Sequence, residues 1–245
     1  MKINNKQSFS TSKPSLSVVI PAYNEEESLS YVLNDTLHDL PKIVSDYEII
    51  IVDDGSDDKT PQIADSFAKN NTHTSVIHMK TNSGYNNAMI AGLKAAKKDY
   101  VVYMQADGQD LIRDMVNCFK IMDRYDLVLG TRGKRIDYNL YRLILSYGCV
   151  ILYRVLFDLT YEDVHWVYVW KTKEVQKLTF DPEGGIFILV ESLIKLKRKG
   201  LKIGEASSPY RPRYGGVNKN TNLGVIWKTL MSIFKLWWKI VTGKI

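Results

Sequence analysis

YVVYMQADGQD, residues 100–110, is an apolar run that ends abruptly in carboxylates and carboxamides. Val101, Val102, Tyr103 and Met104 are partly β-branched and bounded by polar punctuation, which fits a buried central parallel strand better than a helix. The chemistry then sits at the strand's carboxyl end. Asp107 and Gln109 stand two apart with Asp110 beside them, so their oxygens can converge on one hard cation, a class of ion that takes carboxylate, amide carbonyl and water oxygens. The plainer alternative is a strand-to-helix loop in which Asp110 caps a helix over residues 111–122.

Outward from this stretch the same pattern recurs. Residues 16–20 (LSVVI), 47–52 (YEIIIV), 75–79 and 127–129 read as further strands, and residues 26–40, 60–70 and 85–97 as helices between them. Thr60-Pro61 opens the second helix, with Thr as N-cap and Pro at the first helical position, where its missing N–H costs nothing. Strands alternating with helices predict right-handed βαβ units and a mostly parallel sheet covered on both faces. Ligands bind such sheets beyond the carboxyl ends of the strands. Three acidic loops leave those ends, carrying Glu25, then Asp53 and Asp54, then Asp107 and Asp110, so the topology gathers them on one rim. The turn after the first strand is PAYNEE and lacks the glycines that cradle a pyrophosphate, and no Walker, HExxH or GxSxG sequence occurs. A phosphate bound on this rim therefore needs a metal ion and Arg or Lys to neutralise it.

At 245 residues, 45% hydrophobic and 24% charged, the chain has ordinary globular composition and length for one full core. Its 33 Lys and Arg against 27 acids give a net charge of +6, which favours anionic partners. Nucleic acid is not expected among them, because the basic runs RGKR and KLKRKGLK lack interleaved stacking aromatics. Cys118 and Cys149 fall in apolar segments at no metal or redox spacing. Residues 1–14 are polar, carry no signal-peptide core and read as a flexible tail, and no uninterrupted apolar stretch is long enough to span a bilayer.

Taken together, SVVIPAYNEEESL, EIIIVDDGSDDKT, NSGYNNAMIAGLKAA, QADGQD, GTR, Arg142-x-x-x-Ser146 and RYGGVNK resemble the family 2 glycosyltransferases of the GT-A fold. The resemblance is to the branch of dolichyl-phosphate mannose synthase and the bacterial polyprenyl-phosphate glycosyltransferases. It implies an α/β nucleotide-sugar-binding domain over residues 15–220, Mg²⁺ or Mn²⁺ as cofactor, and transfer from a UDP- or GDP-sugar to a polyprenyl phosphate on the cytoplasmic face of a membrane. It places Pro21, Tyr23, Glu25 and Asp54 around base and ribose, and Asp107 and Gln109 on the metal. Arg132 and Arg213 fall where catalytic phosphate charge is handled, and Arg142, Ser146 and Lys219 where the acceptor phosphate is held. Arg142 and Ser146 stand four apart, which on a helix puts them on one face, so both can grip one phosphate.

The chain also departs from that pattern. Gln105 replaces the first Asp of the usual Asp-x-Asp, Asn86 and Asn87 stand where small residues are common, and Asn218 replaces a Ser. Residues 163–169 (DVHWVYV) stand where Ser-Gly-Phe-Arg usually follows an Asp, which leaves the sugar open; His165 is there either a substrate contact or a buried, hydrogen-bonded residue. Two rival functions follow. Transfer to a glycan hydroxyl would need a carboxylate base, with Asp163 and Glu191 as candidates, and loss of the first Asp suits a weakly active nucleotide-sugar-binding scaffold.

Residues 221–245 read as an amphipathic helix at a membrane surface. Lys228, Ser232, Lys235, Lys239 and Thr242 form one narrow polar stripe, and Trp227, Trp237 and Trp238 favour the headgroup boundary. The alternative occupant of its apolar surface is protein: its own core, a homodimer or a membrane partner subunit. Residues 138–159, apolar around Arg142 and Arg154, form a second such segment.

Overall fold

The computed structural model describes residues 14–133, 140–214 and 223–244. Among these, seven strands form one sheet: β1 (Leu16–Ala22), β2 (Tyr47–Asp53), β3 (Thr74–His78), β4 (Tyr100–Tyr103), β5 (Leu127–Thr131), β6 (Tyr168–Lys171) and β7 (Ile203–Ser207). Their spatial order is β3-β2-β1-β4-β6-β5-β7. All pairings are parallel except those of β6, which runs antiparallel to β4 and to β5. The helices are α1 (Leu29–Ile43), α2 (Thr60–Asn70), α3 (Tyr85–Ala95), α4 (Val116–Phe119), α5 (Leu140–Phe157), α6 (Thr172–Gln176), α7 (Ile188–Arg198) and α8 (Leu223–Val241).

Strand alternation sorts the apolar side chains onto two faces. Val19, Ile50, Val52, Val101 and Tyr103 point to the face covered by α3, α5, α7 and α8. Val18, Ile20, Ile49, Ile51 and Val102 point to the face covered by α1, α2 and the turns around α4. Both faces of β1, β2 and β4 are buried, which is why these strands read as continuous apolar runs. Each fully buried aliphatic side chain contributes about 1.5–3 kcal/mol, an upper bound against a compact unfolded chain.

Local differences from expectation have local causes. The helix proposed for residues 111–122 is instead a 3₁₀ turn (Ile112–Met115), the short α4 and a second 3₁₀ turn (Met122–Arg124). Asp110 cannot cap it, because its carboxylate turns back to accept the Gln105 N–H at 2.8 Å. Thr60 does not cap α2 with its side chain either; its hydroxyl accepts the Glu25 N–H at 2.8 Å and so fastens the β1 loop to the β2 loop. β6 begins at the end of the 163–169 stretch that departs from the family pattern.

The last helix forms as expected but faces the other way. Ile233 and Leu236 are buried in the core beside α7, Ser232 is buried with them, and the half-exposed lysines of the polar stripe lean onto the protein. Lys235 reaches Asp181 at 2.8 Å, Ser232 donates to the same carboxylate at 3.4 Å, and Lys228 stands 3.6 Å from Glu183. Trp227, Met231, Phe234, Trp238 and Val241 are left exposed at successive steps of four, three, four and three, one apolar line down the outer face. On α5, Tyr147, Ile151 and Val155 form a similar exposed line. No helix among the described residues is long and apolar enough to cross a membrane.

Candidate active site

The carboxyl ends of β1, β2 and β4 open into a cleft of about 390 Å³. Pro21, Tyr23 and Glu25 enter from the β1 loop, Asp54 from the β2 loop, and Gln105 and Asp107 from the β4 loop. The β1 turn is made by Asn24 at φ 51°, a left-handed conformation that Asn tolerates, and its side chain accepts the Asp57 N–H at 2.9 Å. Asp54 is buried and its carboxylate accepts the N–H groups of Ser83 at 2.8 Å and Gly84 at 2.9 Å. Burial pushes its pKa up, and those two amides oppose the shift. Asp54 thus fixes the start of α3 along one side of the cleft.

Asp107 is held on the floor of the cleft by its neighbours. Its Oδ1 accepts the Gln109 N–H at 3.0 Å, a return made by Gly108 at φ 77°, and its Oδ2 meets Arg213 Nη2 at 2.7 Å. Burial first, and then the neighbouring Asp107 charge, push Asp110 well above the ordinary carboxylate range. Its Oδ2 is buried without a protein partner among the described residues. Tyr85 and Tyr103, which also line the cleft, are hydrogen-bonded to one another, and Tyr103 donates to the Trp166 carbonyl at 2.6 Å. Burial raises both phenols, so they stay protonated donors.

The cleft therefore brings together Pro21, Tyr23, Glu25, Asp54, Asp107 and Arg213. Gln109 sits behind the floor, buried, with its amide donating to the Tyr210 hydroxyl at 2.5 Å. Arg132 lies elsewhere: it is buried, grips Asp163 with Nε at 2.6 Å and Nη2 at 2.9 Å, and covers the Trp166 ring at 5.0 Å. Neither candidate base lines the cleft. Asp163 is held by Arg132, and Glu191 by Lys195 at 2.5 Å in a buried pair beneath α8. His165 lies beside Tyr153, its Nε2 3.2 Å from that hydroxyl. Ser146 is half-buried on α5 away from the cleft; the Arg142 side chain and all of Lys219 lie outside the described residues.

One wall came from residues that sequence reasoning passed over. Pro182, Glu183, Gly185 and Ile186 line the cleft, with Val225 and Lys228 of α8. Their only signal is a turn-forming Pro-Glu-Gly-Gly run, which says nothing of where the turn lands.

The residues fit a divalent cation that is shared with a ligand. Among the described residues no cluster of three His, Cys, Asp or Glu could hold a metal alone. Asp107 nonetheless supplies negative charge and hard oxygen at the floor, and Mg²⁺ and Mn²⁺ are commonly held by one or two carboxylates plus water and phosphate oxygens.

Known proteins agree with this geometry. The chain is 35% identical over 132 residues to undecaprenyl-phosphate 4-deoxy-4-formamido-L-arabinose transferase of Photorhabdus laumondii, a match covering 54% of this chain and 41% of that protein, so it spans about two-fifths of the relative's length. It is 26% identical over 225 residues to undecaprenyl-phosphate mannosyltransferase of Micrococcus luteus, covering 88% and 90%. Among solved structures, glucosyl-3-phosphoglycerate synthase of Mycobacterium tuberculosis, in complex with Mn²⁺, UDP-glucose and phosphoglyceric acid, superposes with a TM-score of 0.69 at 19% identity over 90% of this chain and 79% of that one. That likeness carries the fold, the GT-A arrangement. The glycosyl transferase family 2 model matches residues 17–161, which takes in β1 through β5 and the Asp54 and Asp107 loops that build the cleft, and the chain belongs to that family.

Proposed function

We propose that the protein is an inverting, metal-dependent glycosyltransferase that moves a sugar from a nucleoside-diphosphate sugar to a polyprenyl phosphate at a membrane surface. The observation that carries this reading is the convergence of Asp54, Asp107 and Arg213 on one cleft at the carboxyl ends of β1, β2 and β4. Tyr23, Glu25 and Asp54 would hold base and ribose, and Arg213 would meet the diphosphate. Mg²⁺ or Mn²⁺ would be held by Asp107, with Gln109 behind it, and would supply Lewis-acid neutralisation of the leaving diphosphate.

In the reaction an acceptor oxygen attacks the anomeric carbon from the face opposite the diphosphate. The new carbon–oxygen bond forms as the bond to the diphosphate oxygen breaks, and the nucleoside diphosphate leaves with the electron pair. Arg213, already turned to the cleft floor, stabilises that charge where it develops. Lipid phosphate has a second pKa of about 6 and arrives largely ionised, so no base is required. The placement of Asp163 and Glu191 in buried ion pairs outside the cleft favours such an acceptor over a glycan hydroxyl. The names of the Photorhabdus and Micrococcus relatives point the same way.

The outer line of α8 supports the membrane reading. Its Trp227 and Trp238 would lie at the headgroup boundary on the cytoplasmic face, with Lys244 exposed beyond them to meet an anionic leaflet. The test is to incubate purified protein and Mn²⁺ with a panel of UDP- and GDP-sugars plus polyprenyl phosphate. Organic-extractable sugar from one donor supports the reading; sugar transferred to a soluble glycan and not to lipid overturns it.

A further inference from the structure

Asn86 and Asn87, two of the departures from the family pattern, reach from the first turn of α3 to the 181–186 wall of the cleft. Asn86 donates to the Asp181 carbonyl at 3.1 Å, and Asn87 to the Pro182 carbonyl at 3.4 Å. The other side of the same segment is fastened to α8. Lys235 holds the Asp181 carboxylate at 2.8 Å, and the Ile186 N–H donates to the Thr229 hydroxyl at 3.3 Å. Gly185, at φ 65°, lets the two backbones meet: a Cβ there would stand 2.4 Å from Thr229 Oγ1 and 3.0 Å from the Val225 carbonyl. The segment is thus held between α3, which begins at the Asp54-bound amides, and a helix whose opposite face is apolar and exposed.

We propose that the 181–186 segment is a clamp through which the seating of α8 on lipid tightens the nucleotide cleft, with Lys235 and Asn87 as positioning residues. The proposal rests on the readings of cleft and α8 given above. Lipid touching the outer line of α8 favours the seated helix, and the seated helix holds the wall. A nucleotide in the cleft favours the same arrangement from the other side, because a ligand shifts an equilibrium only through the state it contacts better. The coupling is reciprocal, so nucleotide must raise vesicle affinity by the factor by which vesicles raise nucleotide affinity.

The experiment titrates UDP and GDP, each with Mn²⁺, into the full chain with and without phosphatidylglycerol–phosphatidylcholine vesicles, and follows vesicle binding by sedimentation. The nucleotide that binds should do so roughly fivefold or more tightly on vesicles, the lower end of ordinary coupling between sites. Lys235→Gln and Asn87→Ala should sediment with vesicles like the parent chain yet lose that gain, and Lys235→Arg should keep it. An equal gain in parent and Lys235→Gln, or no gain in the parent, overturns the clamp alone. If neither nucleotide binds under any condition, the reading of the cleft falls and takes the clamp with it; if nothing sediments, the membrane reading of α8 does so.

Discussion

Asp107 carries two jobs that a single substitution separates. Its carboxylate receives the Gln109 amide and faces Arg213, so Asp107→Asn keeps the shape of the loop while removing the charge that a cation needs. Turnover should fall by about 10²-fold or more with the melting temperature little changed, since an electrostatic contribution to the transition state is lost. Full activity of this variant in chelator would sink the metal assignment. Gln105 lines the same cleft, and Gln105→Asp should lower the Mn²⁺ concentration needed for half-maximal rate. Away from the chemistry, His78 lies 2.9 Å from Asp53 and 3.0 Å from Asp65, and those hydrogen bonds, Asp53 first, raise its pKa above the ordinary 6.5. A raised folded-state pKa gives stability that is complete below the unfolded value and is lost as pH rises through the folded one. The ring is 41% exposed, so the effect is small: His78→Gln should lower the melting temperature by about 2 °C at pH 5.5 and not at pH 9. An equal loss at both pH values would mean that packing, not charge, is what the ring supplies. Asp107 was legible because it follows an apolar run; the partners of Arg132 were not, because nothing in a sequence says that Asp163, thirty-one positions on, will chelate it.

β1, β2 and β4 were readable because strands buried on both faces must be apolar throughout, so run length alone marks them. β6 breaks the alternation of strand and helix by running antiparallel, and a βαβ expectation has no place for it. The orientation of α8 was unreadable for a different reason. Its polar stripe is narrow, and a narrow stripe suits either water or acidic partners on the protein; Asp181 and Glu183, some fifty positions upstream, decide the matter. Membrane contact should therefore run through the outer line and not through the lysines. Trp227→Ser with Trp238→Ser removes two exposed indoles, each contributing about 2 kcal/mol if half its surface enters the headgroup boundary. The double variant should leave anionic vesicles in a sedimentation assay and melt with the parent protein. Sedimentation equal to that of the parent would place the apolar line against protein instead, and a change of oligomeric state on substitution would identify a second copy.

For the molecule as a whole, the question is whether α8 is an appendage or part of the domain. Read as an appendage, it could be cut away at residue 222 with the cleft left intact, and only lipid binding would suffer. The packing argues otherwise. Ile233 and Leu236 are buried in the same core as Leu189, Val190 and Leu193 of α7, and removing two such side chains exposes their partners at a cost of about 3–6 kcal/mol, a large part of the 5–15 kcal/mol that holds a domain together. Val225 and Lys228 are also lost from the cleft, and the 181–186 wall loses Lys235 and Thr229. A chain truncated after residue 222 should accordingly melt about 10–20 °C lower, at 2–4 °C per kcal/mol for a domain of this size, and bind nucleotide weakly even without lipid present. Thermal melts and nucleotide titrations on the truncated chain, beside the double tryptophan variant, separate the two views. If the truncated chain melts with the parent and binds nucleotide as well, α8 is an independent membrane anchor and the cleft is complete without it.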